Sequence, residues 1–237
     1  IFLFIHFILD KFWDVAYIIF IINSNKGINQ MIKLSKTSKM PCKSISLPID
    51  ETCSGRYELN SAILKEICEK CYAGKGAYNW PNSVNLKNHN LAETRKHDFV
   101  PDMINLLYKM DYFRWFDSGD VENEIMLEKL YQVCLETPDT KHWIPTKSRD
   151  LFDQYLWEML ETLPNVKVRF SSPSKNGKYD NIHGSTAISD KSQLDGNLFL
   201  CKAKSIGVKK NGKPNPKKCH NCRACWHNPR PIAYEVH

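Results

Sequence analysis

The sequence predicts an α/β fold, a partial and incomplete βα barrel of parallel strands with a cysteine-rich C-terminal extension. Three short apolar segments carry this prediction, at residues 112–116, 141–145 and 166–170. They begin about 25 to 29 residues apart, which is the length of one strand with its crossover helix. Helical patterns fill the two gaps, over residues 121–136 and 149–163. Such alternation is typical of a parallel sheet.

Six further elements are predicted outside this array from periodicity and from capping residues. They are a strand at 44–48, a short helix at 60–67, helices at 83–96 and from Asp98 to Met110, and strands near 185–188 and 197–201. The last two strands have no long helix between them. The barrel is therefore expected to be incomplete.

Length and cysteine content limit the class of protein. The 237 residues suffice for one sizeable core, so nine cysteines are not needed to stabilise a miniature fold. Seven of the nine fall into two groups that contain C-x2-C spacings, which favours metal ligation in a reducing compartment. We expect a barrel domain over residues 31–200 and a basic, metal-binding module over 201–237 packed on it, in the cell interior.

Residues 1–30 are apolar but interrupted by charged residues. Their longest clean apolar run, residues 15–22, is too short to span a bilayer, which needs roughly 20 residues. The first methionine is Met31. We therefore interpret 1–30 as a non-native upstream extension and expect no membrane contact, with a membrane anchor as the alternative.

The net charge of +7 is unevenly distributed. Residues 201–237 contain nine Lys and Arg and one Glu, a net charge of 9 − 1 = +8. The rest of the chain is close to neutral. The basic module is expected either to bind nucleic acid or an anionic substrate, or to balance the charge of thiolates.

The first cysteine group predicts a metal site with an open position. Cys53, Cys68 and Cys71 supply three thiolates, and three thiolates leave one position free on a tetrahedral metal or a cubane cluster. The group also fits zinc, with Cys42 or His89 as a further ligand. The choice between Cys42 and Cys53 as the third thiolate stays open from the residues alone.

The second cysteine group predicts a closed metal site. Its four thiols follow the pattern C-x17-C-x2-C-x2-C and belong to Cys201, Cys219, Cys222 and Cys225. Three thiolates in one short loop favour an iron–sulfur cluster, while zinc is the alternative, with His220 and His227 as further candidate ligands. The remaining Cys134 lies on an apolar helix face and is expected in the core.

Polar residues follow each predicted strand at its carboxyl end, where α/β folds place their working residues. These residues are Asp117, Ser118, Gly119 and Asp120, then Thr146 and Lys147, then Ser171 and Ser172. Asp120 and Ser148 are expected to cap the helices that follow. Capping does not explain Asp117, Ser118 and Lys147, so these three are the predicted substrate-contacting or catalytic residues.

Several blocks resemble the phage "gene product 88" family, from about Ser35 to the C-terminus. The blocks are SKMPCKSISLP, CEKCYAGKGAYNWPN, YFRWFDSGDV, ETPDTKHWIPTKS, VRFSS and CHNCRACW. The resemblance implies a phage or mobile-element protein in the host cytoplasm and supplies no established activity.

A more distant resemblance is to radical S-adenosylmethionine enzymes, which use a partial βα barrel and a 4Fe-4S cluster on three cysteines. It implies that Cys53, Cys68 and Cys71 hold this cluster, that S-adenosylmethionine binds its open iron, and that the C-terminal group holds an auxiliary cluster. The predicted cofactor-binding residues are then Tyr72, Ser118, Gly119, Asp120, Thr146, Ser171 and Ser172. The sequence departs from that family in the fourteen residues between Cys53 and Cys68, where three are usual, and in lacking a GGE motif.

Two functions follow from the sequence. The first is an iron–sulfur enzyme of radical type acting on an unknown substrate. The alternative is a non-catalytic, zinc-binding phage protein whose basic module binds nucleic acid, with Arg223 and Trp226 providing charge and a stacking surface.

Overall fold

The computed structural model describes residues 31–37, 40–53, 67–177, 184–201, 219 and 221–235. From Ile32 onward these residues belong to one compact unit. Four predictions concern residues outside the described ranges. They are the upstream extension, most of the short helix at 60–67, the lysine-rich loop at 202–218, and His220 as a candidate zinc ligand.

Eight strands and six α-helices make up the described fold. The strands are β1 (Ser35–Lys36), β2 (Lys43–Ser46), β3 (Tyr112–Ser118), β4 (Lys141–Thr146), β5 (Val166–Lys175), β6 (Ser185–Ile188), β7 (Phe199–Leu200) and β8 (Ile232–Glu235). The helices are α1 (Ile49–Thr52), α2 (Pro81–Thr94), α3 (Phe99–Leu107), α4 (Glu124–Glu136), α5 (Gln154–Thr162) and α6 (Ala224–His227).

The strands form one sheet in the order β1-β2-β3-β4-β5-β6-β8-β7. β1 is antiparallel to β2, and every other neighbouring pair is parallel. This confirms the predicted α/β class and the parallel array in chain order from β2 to β6. The described strands leave the sheet open between β1 and β7, so closure into a barrel stays a prediction.

One face of the sheet is covered by the long helices. Alternate residues of β3, β4 and β5 point into this core because side chains along a strand alternate between faces. The core residues from these strands are Phe113, Trp115, Ile144, Val166, Val168 and Phe170, and the helices contribute Met103, Leu107, Leu127, Leu130, Val133, Cys134, Trp157 and Leu160. The core position predicted for Cys134 is confirmed.

The other face carries a second, smaller apolar cluster. Its buried members are Cys42, Trp143 and Trp226, with Tyr112 and Cys225 packed against them. The C-terminal cysteine-rich segment therefore contacts the sheet on the face opposite the long helices.

The structure corrects two helix starts. α4 begins at Glu124 and is capped by Asn123, whose side chain accepts from Met126 N at 2.9 Å, so Asp120 is not its cap. α5 begins at Gln154 after Asp153, and residues 149–151 form a separate 3-10 turn, so Ser148 does not cap a helix running from 149 to 163. In both places the chain turns once more before the helix starts.

Strand ends also differ from prediction. β3 and β5 run past their predicted ends, to Ser118 and Lys175, while the strand predicted at 197–201 is only Phe199–Leu200. No helix of the described residues combines the length and apolar character that crossing a membrane requires.

Candidate metal and cofactor site

The first cysteine group gathers at the carboxyl end of β2. Cys53 directly follows α1, and Cys68 and Cys71 are joined by a backbone hydrogen bond from Cys71 N to Cys68 O at 3.2 Å. Burial raises the pKa of the Cys53 thiol, and the nearby Asp120, Cys71 and Cys68 raise it further. Because such charge effects act over short distances, the three thiols and the Asp120 carboxylate occupy one region.

The three thiols are not closed around a coordination centre. Within the part of the chain that the structure describes, no group of three or more His, Cys, Asp or Glu side chains has the arrangement of a metal site. The structure thus brings together the three thiols of the predicted set without fixing a metal geometry. Their role as ligands stays a prediction.

Asp120 joins the ends of β3 and β4. It is 6% exposed, and its carboxylate accepts hydrogen bonds from Thr146 Oγ1 at 2.7 Å and from the backbone nitrogens of Val121 and Lys147, each at 2.8 Å. Its own backbone nitrogen donates to Thr52 Oγ1 at 3.1 Å. Burial raises the pKa of this carboxyl group, although the three donors counteract the effect. Asp120 therefore fixes the strand ends beside Cys53.

Gly119 is required by close packing at the same place. Its φ of 83° lies in the left-handed region, and a Cβ there would lie 2.6 Å from Thr52 Oγ1 and 2.7 Å from Leu47 Cβ. The glycine therefore lets the end of β3 approach the segment that leads into Cys53.

A bulge in β3 sets the direction of Asp117. The register with β2 shifts between Ser44 and Ser46, and Phe116 adopts a φ of 54°. Phe116 joins the helix-side core, while the Asp117 carboxylate accepts hydrogen bonds from the hydroxyls of Ser46 and Tyr78. The predicted catalytic Asp117 is thus a buried group with two hydroxyl partners.

Tyr72 and Arg114 complete this polar group. The Tyr72 hydroxyl donates to Asp117 O at 2.8 Å and accepts from Arg114 Nη2 at 3.0 Å. Arg114 also lies over the Trp143 ring, 4.8 Å from its centroid. Tyr72 itself is 56% exposed, so it lies next to Cys71 at the protein surface.

The other predicted strand-end residues have different environments. Ser118 donates to Leu47 O at 2.9 Å and is buried, whereas Lys147 is partly exposed and close enough to lower the pKa of Cys53 against the effect of burial. Ser172 donates to Ser174 O at 3.1 Å. Ser171 accepts from the hydroxyl of Ser185 at 3.3 Å on the neighbouring strand. Among the predicted strand-end residues, Lys147 and the Asp120 carboxylate are the two side chains whose charge reaches Cys53.

The second cysteine group lies beside the edge strand β7 and its neighbour β8. Cys201 N donates to Ala233 O at 2.8 Å, and Cys222 N donates to Cys219 O at 2.6 Å. Burial, reinforced by the nearby Cys201, raises the pKa of Cys225 to about 12. Burial with the charges of Cys201 and Cys222 likewise raises the pKa of Cys219. All four predicted thiols are therefore neighbours.

Cys42 belongs with this second group. It packs in the apolar cluster that contains Trp226 and Cys225, and the neighbouring Met40 Sδ lies 3.7 Å from Cys219 Sγ. Burial raises the pKa of Cys42 to about 11, with the cations of Arg114 and Arg223 acting against it. The alternative that made Cys42 a ligand of the first group is wrong, because the residue lies in the second cluster.

Arg169 fastens the C-terminal cysteine segment to the sheet. Its side chain is fully buried on β5, and its guanidinium donates to four backbone carbonyls at 2.7 to 3.2 Å. The acceptors belong to Ala224, Cys225, Asn228 and Arg230. One cation thereby orders the loop that carries the last thiol.

Trp226 is not a stacking surface for nucleic acid. It is 5% exposed, its Nε1 donates to Phe113 O at 2.9 Å, and its ring packs against Tyr112 and Trp143. Arg223 lies over the Tyr112 ring at 4.8 Å. The expectation that Trp226 provides a stacking platform is therefore wrong, since the sheet already covers the ring.

Sequence reasoning missed three residues of the site, Tyr78, Arg114 and Arg169. Arg114 and Arg169 stand in the middle of the short apolar strands YFRWF and VKVRF. A cation at the centre of a buried strand needs a partner, and this signal was present in the sequence. Tyr78 carries no such signal.

The fold and the two cysteine groups define a class, an α/β protein with thiol-rich groups associated with one largely parallel sheet. A family model described as "Gene product 88" matches residues 21–228. The chain belongs to this phage gene product family, as its sequence blocks predicted. No curated protein and no solved structure matches the chain.

Proposed function

We propose that the protein holds iron–sulfur clusters at its two cysteine groups and is an enzyme of the radical S-adenosylmethionine type. One observation carries the proposal. Three thiols, Cys53, Cys68 and Cys71, gather where β2 ends, beside the Asp120 carboxylate where β3 ends. In α/β folds this edge is where cofactors bind.

The donor set at the first group suits such a cluster. Three thiolates satisfy three irons of a 4Fe-4S cubane and leave one iron for another ligand. Asp120 and Lys147 lie near Cys53, one negative and one positive. A cluster bound there and reduced by an external one-electron donor would supply the electron for the reductive cleavage of S-adenosylmethionine.

The chain's own residues make this edge rigid. Asp120 holds β3 to β4 through Thr146, and Gly119 admits the close approach of Thr52. Their role is to position the cysteine loop and to leave Lys147 as a charged group facing it. Ser118 is a positioning residue in this proposal, because its hydroxyl is engaged by Leu47 O.

The surroundings of the second group support a closed, negatively charged cluster. Arg114 and Arg223 act on Cys219, and Arg169 and Arg114 act on Cys225. The positive charge of these three arginines opposes the burial that raises the pKa of both thiols, and it would balance the negative charge of thiolates bound to a metal. The four thiols make this group the proposed auxiliary cluster site.

The alternative is zinc at one or both cysteine groups, since the same thiols would bind it. This alternative was combined with nucleic-acid binding by the basic C-terminal module, and that function loses support because Trp226 is buried. The polar network at the ends of β3 and β4 favours the enzyme.

Anaerobic purification followed by metal analysis tests the proposal. We expect iron and acid-labile sulfide in near-equal amounts, with visible absorbance from thiolate-bound iron. A colourless protein that contains zinc and no iron after anaerobic reconstitution would refute it. Added S-adenosylmethionine should change the electron paramagnetic resonance spectrum of the reduced protein. An unchanged spectrum would refute the proposed radical S-adenosylmethionine chemistry but would not refute the presence of iron–sulfur clusters.

A further inference from the structure

Three buried hydrogen-bond donors lie side by side on the sheet face opposite the long helices. Ser44 on β2 pairs with Arg114 on β3, and Arg114 pairs with Trp143 on β4. Ser44 is 1% exposed and Trp143 is 5% exposed. The buried atoms Ser44 Oγ, Arg114 Nε and Trp143 Nε1 have no hydrogen-bond partner within the residues that the structure describes. These residues form one row across three neighbouring strands, which we call the donor row.

The chemistry of the donor row limits what can satisfy it. A buried donor without an acceptor destabilises a fold, so each one requires an explanation. The indole and guanidinium N–H groups can only donate, and the serine hydroxyl is able to donate. The guanidinium is also positively charged. The donor row therefore suits a negatively charged group that offers several acceptor atoms.

The donor row borders the second cysteine group. Trp143 belongs to the same apolar cluster as Cys42, and Cys225 packs against this cluster. The Arg114 guanidinium lies over the Trp143 ring, 4.8 Å from its centroid. Burial raises the pKa of Cys219 and of Cys225, and the positive charge of Arg114 counteracts this rise in both thiols. The donors and the thiols thus share one region of the sheet face.

We infer that Ser44, Arg114 and Trp143 donate hydrogen bonds to the sulfur atoms of an iron–sulfur cluster at the second cysteine group. Such a cluster contains inorganic sulfides in addition to the protein thiolates, and a zinc ion brings no acceptor of its own. The donors stabilise the reduced cluster more than the oxidised one, because the reduced form carries one more negative charge. They therefore raise its reduction potential. The inference deepens the proposed function and rests on it for the cluster.

A redox titration followed by electron paramagnetic resonance measures this effect. It is performed on the full-length Cys53→Ala protein, in which the second cluster is expected to be the remaining one. Adding Trp143→Phe keeps an aromatic ring and removes the N–H group. The reduced form should become about tenfold less favourable, a fall in potential of about 59 mV for a one-electron couple. An unchanged potential would overturn the inference.

Trp157→Phe is the matched control in the same background. Trp157 Nε1 is likewise buried without a partner among the described residues, but its ring lies in the helix-side core. This variant should keep the potential of the Cys53→Ala protein. If it lowers the potential as much as Trp143→Phe does, lost packing explains the change and the inference is wrong.

Ser44→Ala is a second test that removes only one hydroxyl from the donor row. It should lower the potential in the same direction as Trp143→Phe. Where Trp143→Phe does not fold or does not retain its iron, Ser44→Ala decides the question. An unchanged potential in Ser44→Ala would then overturn the inference.

The iron content of the same samples separates the inference from the proposed function. A second group that binds zinc and no iron after anaerobic reconstitution would refute both. Bound iron with unchanged potentials in the donor-row variants would refute the inference alone. If S-adenosylmethionine leaves the spectrum of the wild-type protein unchanged while Trp143→Phe lowers the potential, the inference is supported and the radical chemistry is refuted.

Discussion

Arg114 donates a hydrogen bond of 3.0 Å to the hydroxyl of Tyr72, across 42 residues of chain. Tyr72 directly follows the last thiol of the first cysteine group, whereas Arg114 acts on Cys42 and Cys219 in the second. The Arg114 cation, on strand β3, thus lies between the two cysteine groups. This contact connects the cysteine loop to the face of the sheet that carries the C-terminal segment.

Replacing Tyr72 with Phe removes the acceptor for Arg114 and the donor to Asp117 O. We expect the free energy of unfolding to fall by about 1 kcal/mol, because water reaches this half-exposed side chain and replaces part of the lost hydrogen bonding. Urea denaturation measures it. Tyr155→Phe, at a tyrosine that is 64% exposed, is the matched control and should change little. Equal stabilities of the two variants would contradict a structural role for the Tyr72 hydroxyl.

Thr146→Val tests the connection between β3 and β4. The Thr146 hydroxyl donates to Asp120 at 2.7 Å and accepts from Ser148 N at 2.9 Å, and the residue is 2% exposed. Valine keeps the shape, leaves the Ser148 backbone nitrogen without its acceptor and removes one of the three donors to the Asp120 carboxylate. We therefore expect a loss of about 1 to 3 kcal/mol in unfolding free energy. Thr162→Val on an exposed helix position serves as the control. A loss no larger than in the control would show that the strand ends do not depend on this bond.

Replacing Arg169 with Met should release the C-terminal cysteine segment. Four carbonyl groups lose their donor, which we expect to lower the unfolding free energy by about 3 kcal/mol. Hydrogen exchange should accelerate in residues 221–235 and stay unchanged in α3 and α4. Arg95→Met, at an arginine with a 54% exposed side chain, should leave that exchange unaltered. If the backbone amides of 221–235 exchanged as slowly in the Arg169 variant as in the wild type, Arg169 would not anchor this segment.

The buried His142 is expected to make the free energy of unfolding depend on pH. Trp115 Nε1 can only donate a hydrogen bond, so His142 Nδ1 must be the acceptor in their contact of 3.2 Å. The Thr137 hydroxyl uses its own hydrogen to donate to Val133 O. The Thr137 oxygen therefore accepts from His142 Nε2 at 2.9 Å. A second ring proton would face the indole N–H. Burial lowers the pKa of His142 from 6.5 to about 4, which agrees with a neutral ring.

The sign of the effect follows from the lowered pKa. The unfolded chain takes up the proton first, so the His142 contribution is complete above about pH 6.5 and is lost as pH falls toward 4, by about 3 kcal/mol in all. Unfolding free energies at several pH values, compared between wild type and His142→Gln, measure it. Identical slopes in the two proteins over this range would contradict a neutral, buried His142.

Much of the fold was predictable because the strands β3 to β5 are short apolar segments at regular spacing. Along these strands every second side chain faces the helices, from Phe113 in β3 to Val168 in β5. The bulge at Phe116 was not predictable, because a positive φ at a phenylalanine depends on how β3 packs against β2. The helix cap moved from Asp120 to Asn123 for a related reason, since Asp120 is used by Thr146 on the next strand.

The candidate site was predictable in its donors and less so in its surroundings. The thiol spacing separates the two groups, and the structure places Cys53 with Cys71 as predicted. Spacing could not place Cys42, whose position depends on contacts with Trp226, 184 residues further on (226 − 42). Long-range packing of this kind leaves no periodic trace in the sequence.

Each cysteine group is proposed to hold its own cluster, and the iron content of single cysteine variants tests this most directly. After anaerobic reconstitution, the wild type should contain about eight iron atoms, and Cys53→Ala and Cys225→Ala about four each. Cys134→Ala, in the helix-side core, should retain the wild-type content. Wild-type iron in Cys53→Ala, or complete loss of iron in either site variant, would contradict two separate clusters.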